Sequence, residues 1–190
     1  MALDDTKVMI VSTGAFWYGA VGATKPNSTQ VAAYLTDRTM PTGWTDLGHT
    51  DNDAPWDSSK DGGDTTTQRS FQVKNLKTSI APITVSHTIN SLQALDGEIL
   101  KMYYGGGTVS AGEFVKPTTP TAQEHGFVAI MSQGGGVWSA EWFPKVSIIG
   151  GDAPIVKTDE FWMYPLVVTE LVHSTLGLGS IISTSIAVPA

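Results

Sequence analysis

The densest concentration of side chains capable of chemistry is a run of carboxylates. Asp46, Asp51, Asp53, Asp57, Asp61 and Asp64 fall within nineteen residues, with Lys60 the one cation among them. Asp-rich loops offer hard divalent cations their oxygen ligands. This run lacks the D-x-D-x-D-G spacing and the closing Glu of a calcium loop, so a solvated or interface loop is the better reading. Trp44 and Trp56 flank it, and Trp is common at protein–protein contacts. Trp44, Leu47, Asp51, Asp53, Trp56, Asp57, Asp61 and Asp64 are therefore the candidate contact residues.

Other chemistries find less support. His49, His87, His125 and His173 are scattered, without the paired spacing of a metal site. Ser110 lies outside any G-x-S-x-G elbow, and Gly105-Gly106-Gly107 leads into Thr108-Val109 instead of the Lys-Ser/Thr of a phosphate loop. Asp159 and Glu160 are adjacent, and neighbours on a strand point to opposite faces. The chain has no cysteine, which excludes disulfides, thiol nucleophiles and Cys-ligated metals. No enzyme activity, metal or cofactor is expected. Asn27-Ser28-Thr29 matches a glycosylation sequon, expected to be silent without a secretory signal. Six tryptophans admit a carbohydrate-binding β-sandwich as an alternative, since aromatic platforms stack on sugars.

These residues are carried by 190 positions, of which 15% are charged, with a net charge of −7. An average soluble domain carries roughly 25% charged residues. The window from Asp46 to Asp64 holds −5 of that total, so the remainder is nearly neutral. An acidic balance argues against gripping nucleic acid through its phosphates. The acidic first residues do not resemble a signal peptide, and the uncharged run 8–24 is too short to span a bilayer. The expectation is a soluble protein made in a reducing cytoplasm, with no membrane association.

The elements that position these residues read mainly as strands. Residues 7–11 and 16–21 form two short ones broken at Ser12-Thr13-Gly14, 69–74 alternates Phe71 and Val73 with polar residues, and 80–89 continues it past Pro82. Residues 127–132 and 137–149 flank a glycine run, a hairpin signal, and 161–172 is a further strand. Leu92, Leu95, Ile99 and Met102 share one face of a helix, predicted over 91–104 with Asn90 as its cap and Gly105 as its stop. The fold class is two packed antiparallel sheets, a sandwich or barrel, with one flanking helix. The stretch 36–68 reads as a long functional loop. Residues 171–190 carry no charge, and an arm over about 173–190 is expected to lie against a surface, its own or another subunit's. Length makes 1–190 a single domain.

The ordered features resemble the major tail tube proteins of long, flexible-tailed bacteriophages, especially those of actinobacteria. The resemblance is carried by Gly43-Trp44-Thr45-Asp46-Leu47-Gly48-His49-Thr50 and Asp61-Gly62-Gly63-Asp64-Thr65-Thr66. It continues through the helix stopping at Gly105-Gly106-Gly107, the linker Phe114-Val115-Lys116-Pro117, Trp142-Phe143-Pro144-Lys145 and the strand at 161–171. It spans residues 10–172 and leaves the C-terminal tail unmatched. It implies a structural subunit of two packed sheets and a helix, six copies to a ring, with rings stacked into a tube that conducts DNA without binding it. The loop at 36–68 would make contacts between subunits and rings. A tape measure protein would fill the lumen during assembly, with a terminator at one end and a baseplate at the other. A tail terminator or connector of related fold is a further alternative.

Overall fold

A computed structural model describes residues 8–53 and 56–186. The chain is mainly β. Strands β1 (Thr13–Gly19), β2 (Trp44–Asp46), β3 (Asp57–Gly62), β4 (Thr65–Gln68), β5 (Lys77–Ile80) and β6 (Ile83–Ser91) precede β7 (Thr108–Ser110) and β8 (Glu113–Val115). The long β9 (Gln123–Gly134) and β10 (Val137–Gly150) follow, then β11 (Tyr164–Glu170) and β12 (Ser180–Ile182). Two helices, α1 (Ser28–Asp37) and α2 (Gly97–Tyr104), complete the described residues.

All described strand pairings are antiparallel. The main sheet has the order β2-β1-β9-β10-β11-β6-β3, with β12 added to the first half of β10; β4–β5 and β7–β8 are two-stranded ribbons. The two layers are wings of this one curled sheet. They face each other across Phe16, Phe127 and Phe143 on one side and Ile89, Leu166 and Val168 on the other. Alternation along β1 sends Phe16 into this core and Ala15 and Trp17 into a second one, with Val128, Ile130, Trp138 and Trp142, which α1 covers through Val31 and Tyr34. The register of β10 shifts between Phe143 and Val146, next to Pro144. That extra residue resets the alternation, so Phe143, Val146 and Ile148 all reach the first core. α2 packs Ile99 and Met102 onto β10 and β11.

Residues 44–51 join the two edges. β2 pairs with β1, and the Leu47 amide donates to the Phe16 carbonyl. The chain then crosses: Thr50 bridges to Ser91, and the Asp51 amide donates to the Asn90 carbonyl at the end of β6. The described strands nevertheless do not close into a barrel.

Several elements differ from the sequence expectation. A second helix exists: α1 is opened by Asn27, whose side chain accepts from the Gln30 amide while Gln30 returns a bond to the Asn27 amide. α2 starts at Gly97 with Asp96 as its cap, because Asn90 and Ser91 are held in the ladder of β6 against β11. Leu92 and Leu95 thus precede the helix, and Gly97 is its first residue. Of the two expected N-terminal strands only the second exists, as β1, which begins inside the expected break at Thr13; residues 8–12 are not in a strand, and Lys7 lies outside the described residues. Residues 69–74 form the turn between β4 and β5, with Phe71 and Val73 both exposed. The glycine hairpin of β9 and β10 and the Gly105 helix stop are as expected, with Gly105 in the left-handed region at φ 68°.

Candidate assembly surface

The stretch 57–83 rises from the body as an arm. β3 pairs with β6 and β4 with β5, so the two ladders form one long hairpin with a bend between them. The sequence Asp57-Ser-Ser-Lys-Asp-Gly62 has no apolar residue, and every residue of β3, β4 and β5 is exposed. At the bend Gly62 and Gly63 both have φ 82°, and a Cβ on Gly62 would lie 2.1 Å from the Pro82 carbonyl oxygen. Only glycine fits there. Pro82 donates no ladder bond, the Gly63 amide donates to its carbonyl, and the Ala81 amide donates to Asp64. Beyond the bend, Phe71, Leu76 and Ile80 are exposed apolar side chains, and Arg69, Lys74 and Lys77 are the only charges.

The base of the arm is anchored by Trp56. Its ring lies 4.0 Å from that of His87 at 11°, and also meets Phe16 at 5.4 Å and Phe127 at 6.0 Å, so it fills the gap between the wings. His87 is buried. Its Nε2 is 2.9 Å from the Glu170 carboxylate and its Nδ1 2.8 Å from the Ser58 hydroxyl, which links β3, β6 and β11 through one ring. Glu141 lies nearby on β10. Burial raises its carboxyl above the ordinary value; the His87 field opposes this and the Glu170 charge adds to it.

The candidate residues fall into two groups. Trp44 and Leu47 are buried, Trp44 in the core beneath α1 and Leu47 between the wings. The Trp44 indole lies over Gly19 and Gly126 and donates to the Thr24 carbonyl at 3.0 Å. Trp56 and Asp51 are half-buried, and Asp53, Asp57, Asp61 and Asp64 are exposed. Asp57 and Asp61 lie on β3, and Asp64 follows at the bend; Asp53 forms a turn with Asp51. Asp46, counted with the acidic run, belongs to the body: Tyr34 donates its hydroxyl to it, and the Gly48 amide donates at 2.9 Å. Among the described residues no group of three or more His, Asp or Glu side chains is placed to hold a metal ion. Of the six tryptophans only Trp162 is substantially exposed. Sequence reading missed the basic, apolar tip of the arm, although the absence of any acid from 65 to 95 was a visible signal.

Within the C-terminal arm, residues 180–183 lie on their own chain: β12 pairs with β10 at Ala140–Trp142, and the Ser183 hydroxyl donates to the Trp138 carbonyl. No described helix is long and apolar enough to cross a membrane.

A curled antiparallel body with a projecting, solvent-exposed hairpin defines a β-rich structural protein with surface to give to contacts. The chain belongs to the phage tail tube protein family, which it matches over residues 1–190. It is 26% identical over 180 residues to the major tail protein Gp23 of Mycobacterium phage L5, covering 91% of this chain and 89% of that protein. To the major tail protein Gp23 of Mycobacterium phage D29 it is 25% identical over 178 residues, with the same coverage. Membership implies self-assembly into a tail tube and a place in the virion tail.

Proposed function

We propose that this chain, as a single tail tube domain over 1–190, builds the tube of a long flexible phage tail. Six copies close into a ring, rings stack, and DNA passes through the lumen without chemistry or specific binding. The observation that carries this reading is the full-length family match. The exposed arm supports it, since a hairpin with solvent on both faces gains stability chiefly from what it meets in an assembly. The acidic part of that arm (Asp57, Asp61 and Asp64, with Asp51 and Asp53 before it) is the contact segment, and Trp44, Leu47 and Trp56 fix it to the body. The lumen is filled during assembly by a tape measure protein, and the tube is bounded by terminator and baseplate proteins. Synthesis is in the host bacterial cytoplasm, and no catalytic role, metal or cofactor is assigned.

Electron microscopy of the purified protein, with and without a tape measure protein, tests this. Rings or tubes of uniform diameter are expected. Persistent monomers under every condition would overturn it.

A further inference from the structure

The arm and a largely apolar cavity stand at opposite ends of one strand. β6 begins at Ile83, where the arm departs, and ends at Ser91, about 25–30 Å away at the usual strand rise. Just past Ser91 the chain enters a cavity of about 500 Å³ lined by Leu95, Leu100, Tyr104, Val109, Phe114 and Trp162. Leu95 is 90% exposed at its mouth, the highest exposure of any described leucine.

Both ends carry matching chemistry. The tip presents Phe71, fully exposed, and Leu76, with Arg69, Lys74 and Lys77 around them and no acid. Glu113 lines the cavity beside Lys116, and Asp96, whose carboxylate caps α2, lines the adjoining depression that shares Leu95 and Trp162. The nearby cations are engaged: Lys101 is paired with Glu98, and Lys116 lies 4.3 Å over the Tyr104 ring. Burial, with the Tyr104 field second, pushes the Tyr164 hydroxyl at the cavity wall up to about 12, so it stays neutral. A basic apolar tip thus has an apolar cavity to enter at the far end of a second molecule, where Glu113 and the neighbouring Asp96 outnumber Lys116.

Building on the tube-subunit reading, we propose that the tip of each arm docks in this cavity of another copy of the chain, with Phe71 as the inserted side chain. Tip and cavity are different patches, so the contact is heterologous, and copies displaced along the β6 direction continue it indefinitely. An aromatic anchor entering a pocket is the usual form of an interface hot spot.

The cysteine-free chain permits a direct test. Gln72→Cys and Leu95→Cys chains, which leave Phe71 in place, are mixed, assembled, checked for tubes by electron microscopy and treated with a short bismaleimide. A cross-linked dimer in the mixture well above that in either variant alone is expected. Both positions are on the surface, so folding is preserved. In parallel, Phe71→Ala raises the critical concentration for assembly about tenfold or more, and Phe71→Leu recovers most of the loss. Tubes without the mixed dimer, or coupling of Gln72→Cys to Asp61→Cys in its place, would overturn the docking while leaving the tube-subunit reading standing. Absence of any tube from the unsubstituted chain would overturn that reading and this one with it.

Discussion

Trp44 lies flat over two glycines that face each other across β1 and β9, Gly19 and Gly126. A Cβ at Gly19 would come within 2.6 Å of the Gly43 carbonyl oxygen, so the close approach that lets the indole in depends on the missing side chain. Removing a buried aromatic of this kind costs about 3–5 kcal/mol. Trp44→Ala is expected to fall in that range by chemical denaturation, while Asp53→Asn on the surface should change stability by less than about 0.5 kcal/mol. The two belong to one candidate list, and composition alone had no means of separating them. A tryptophan beside an acidic loop has the same one-dimensional signature whether it faces a partner or its own core. His125 makes a second test. Burial pushes its ring below the ordinary histidine value, more than the Gly19 carbonyl it bonds raises it. The folded chain therefore binds fewer protons than the unfolded one, and the stability present above about pH 6.5 shrinks as pH falls below it. His125→Gln should flatten that slope, measured as denaturation midpoints at about pH 7.5 and 5.5.

At the level of elements, strands with clean alternation and a strong turn were readable. β9 and β10 follow from their apolar pattern and the glycines between them, because such a hairpin is stabilised by neighbouring residues. α1 was not readable: it buries only Val31 and Tyr34, and its start signal, Asn27 with Gln30 three residues on, coincides with a sequon. Asn27→Ala is expected to cost about 1 kcal/mol and to lower the helical signal in circular dichroism. α2 shows the opposite error. Its apolar spacing extends back to Leu92, but the ladder of β6 takes Asn90 and Ser91 first, and long-range pairing overrides local periodicity. The arm was invisible as structure because β3 and β4 are polar on both faces. Gly62→Ala should strain the bend and lower assembly yield, with little change in the fluorescence of the buried tryptophans.

For the molecule as a whole, the body holds most of the packing and the arm holds most of the uncommitted surface. Trypsin should cleave the free protein after Arg69, Lys74 or Lys77 at the tip, and spare these bonds in assembled tubes. Equal cleavage in both forms would argue that the tip stays in solvent. The family was legible from the order of motifs, whereas the distribution of charge along the arm needed the pairing of β3 with β6 and β4 with β5 to acquire a direction. The crossing of residues 44–51 from the edge of β1 to the end of β6 has a mechanical meaning. Peeling the wings apart at a free edge would break hydrogen bonds one at a time, but here it must stretch a covalent cross-tie of eight residues. Each subunit is stiffened like a hoop with a fixed chord, so a tail built from it would take up curvature at the joints between subunits and leave the shape of each one unchanged.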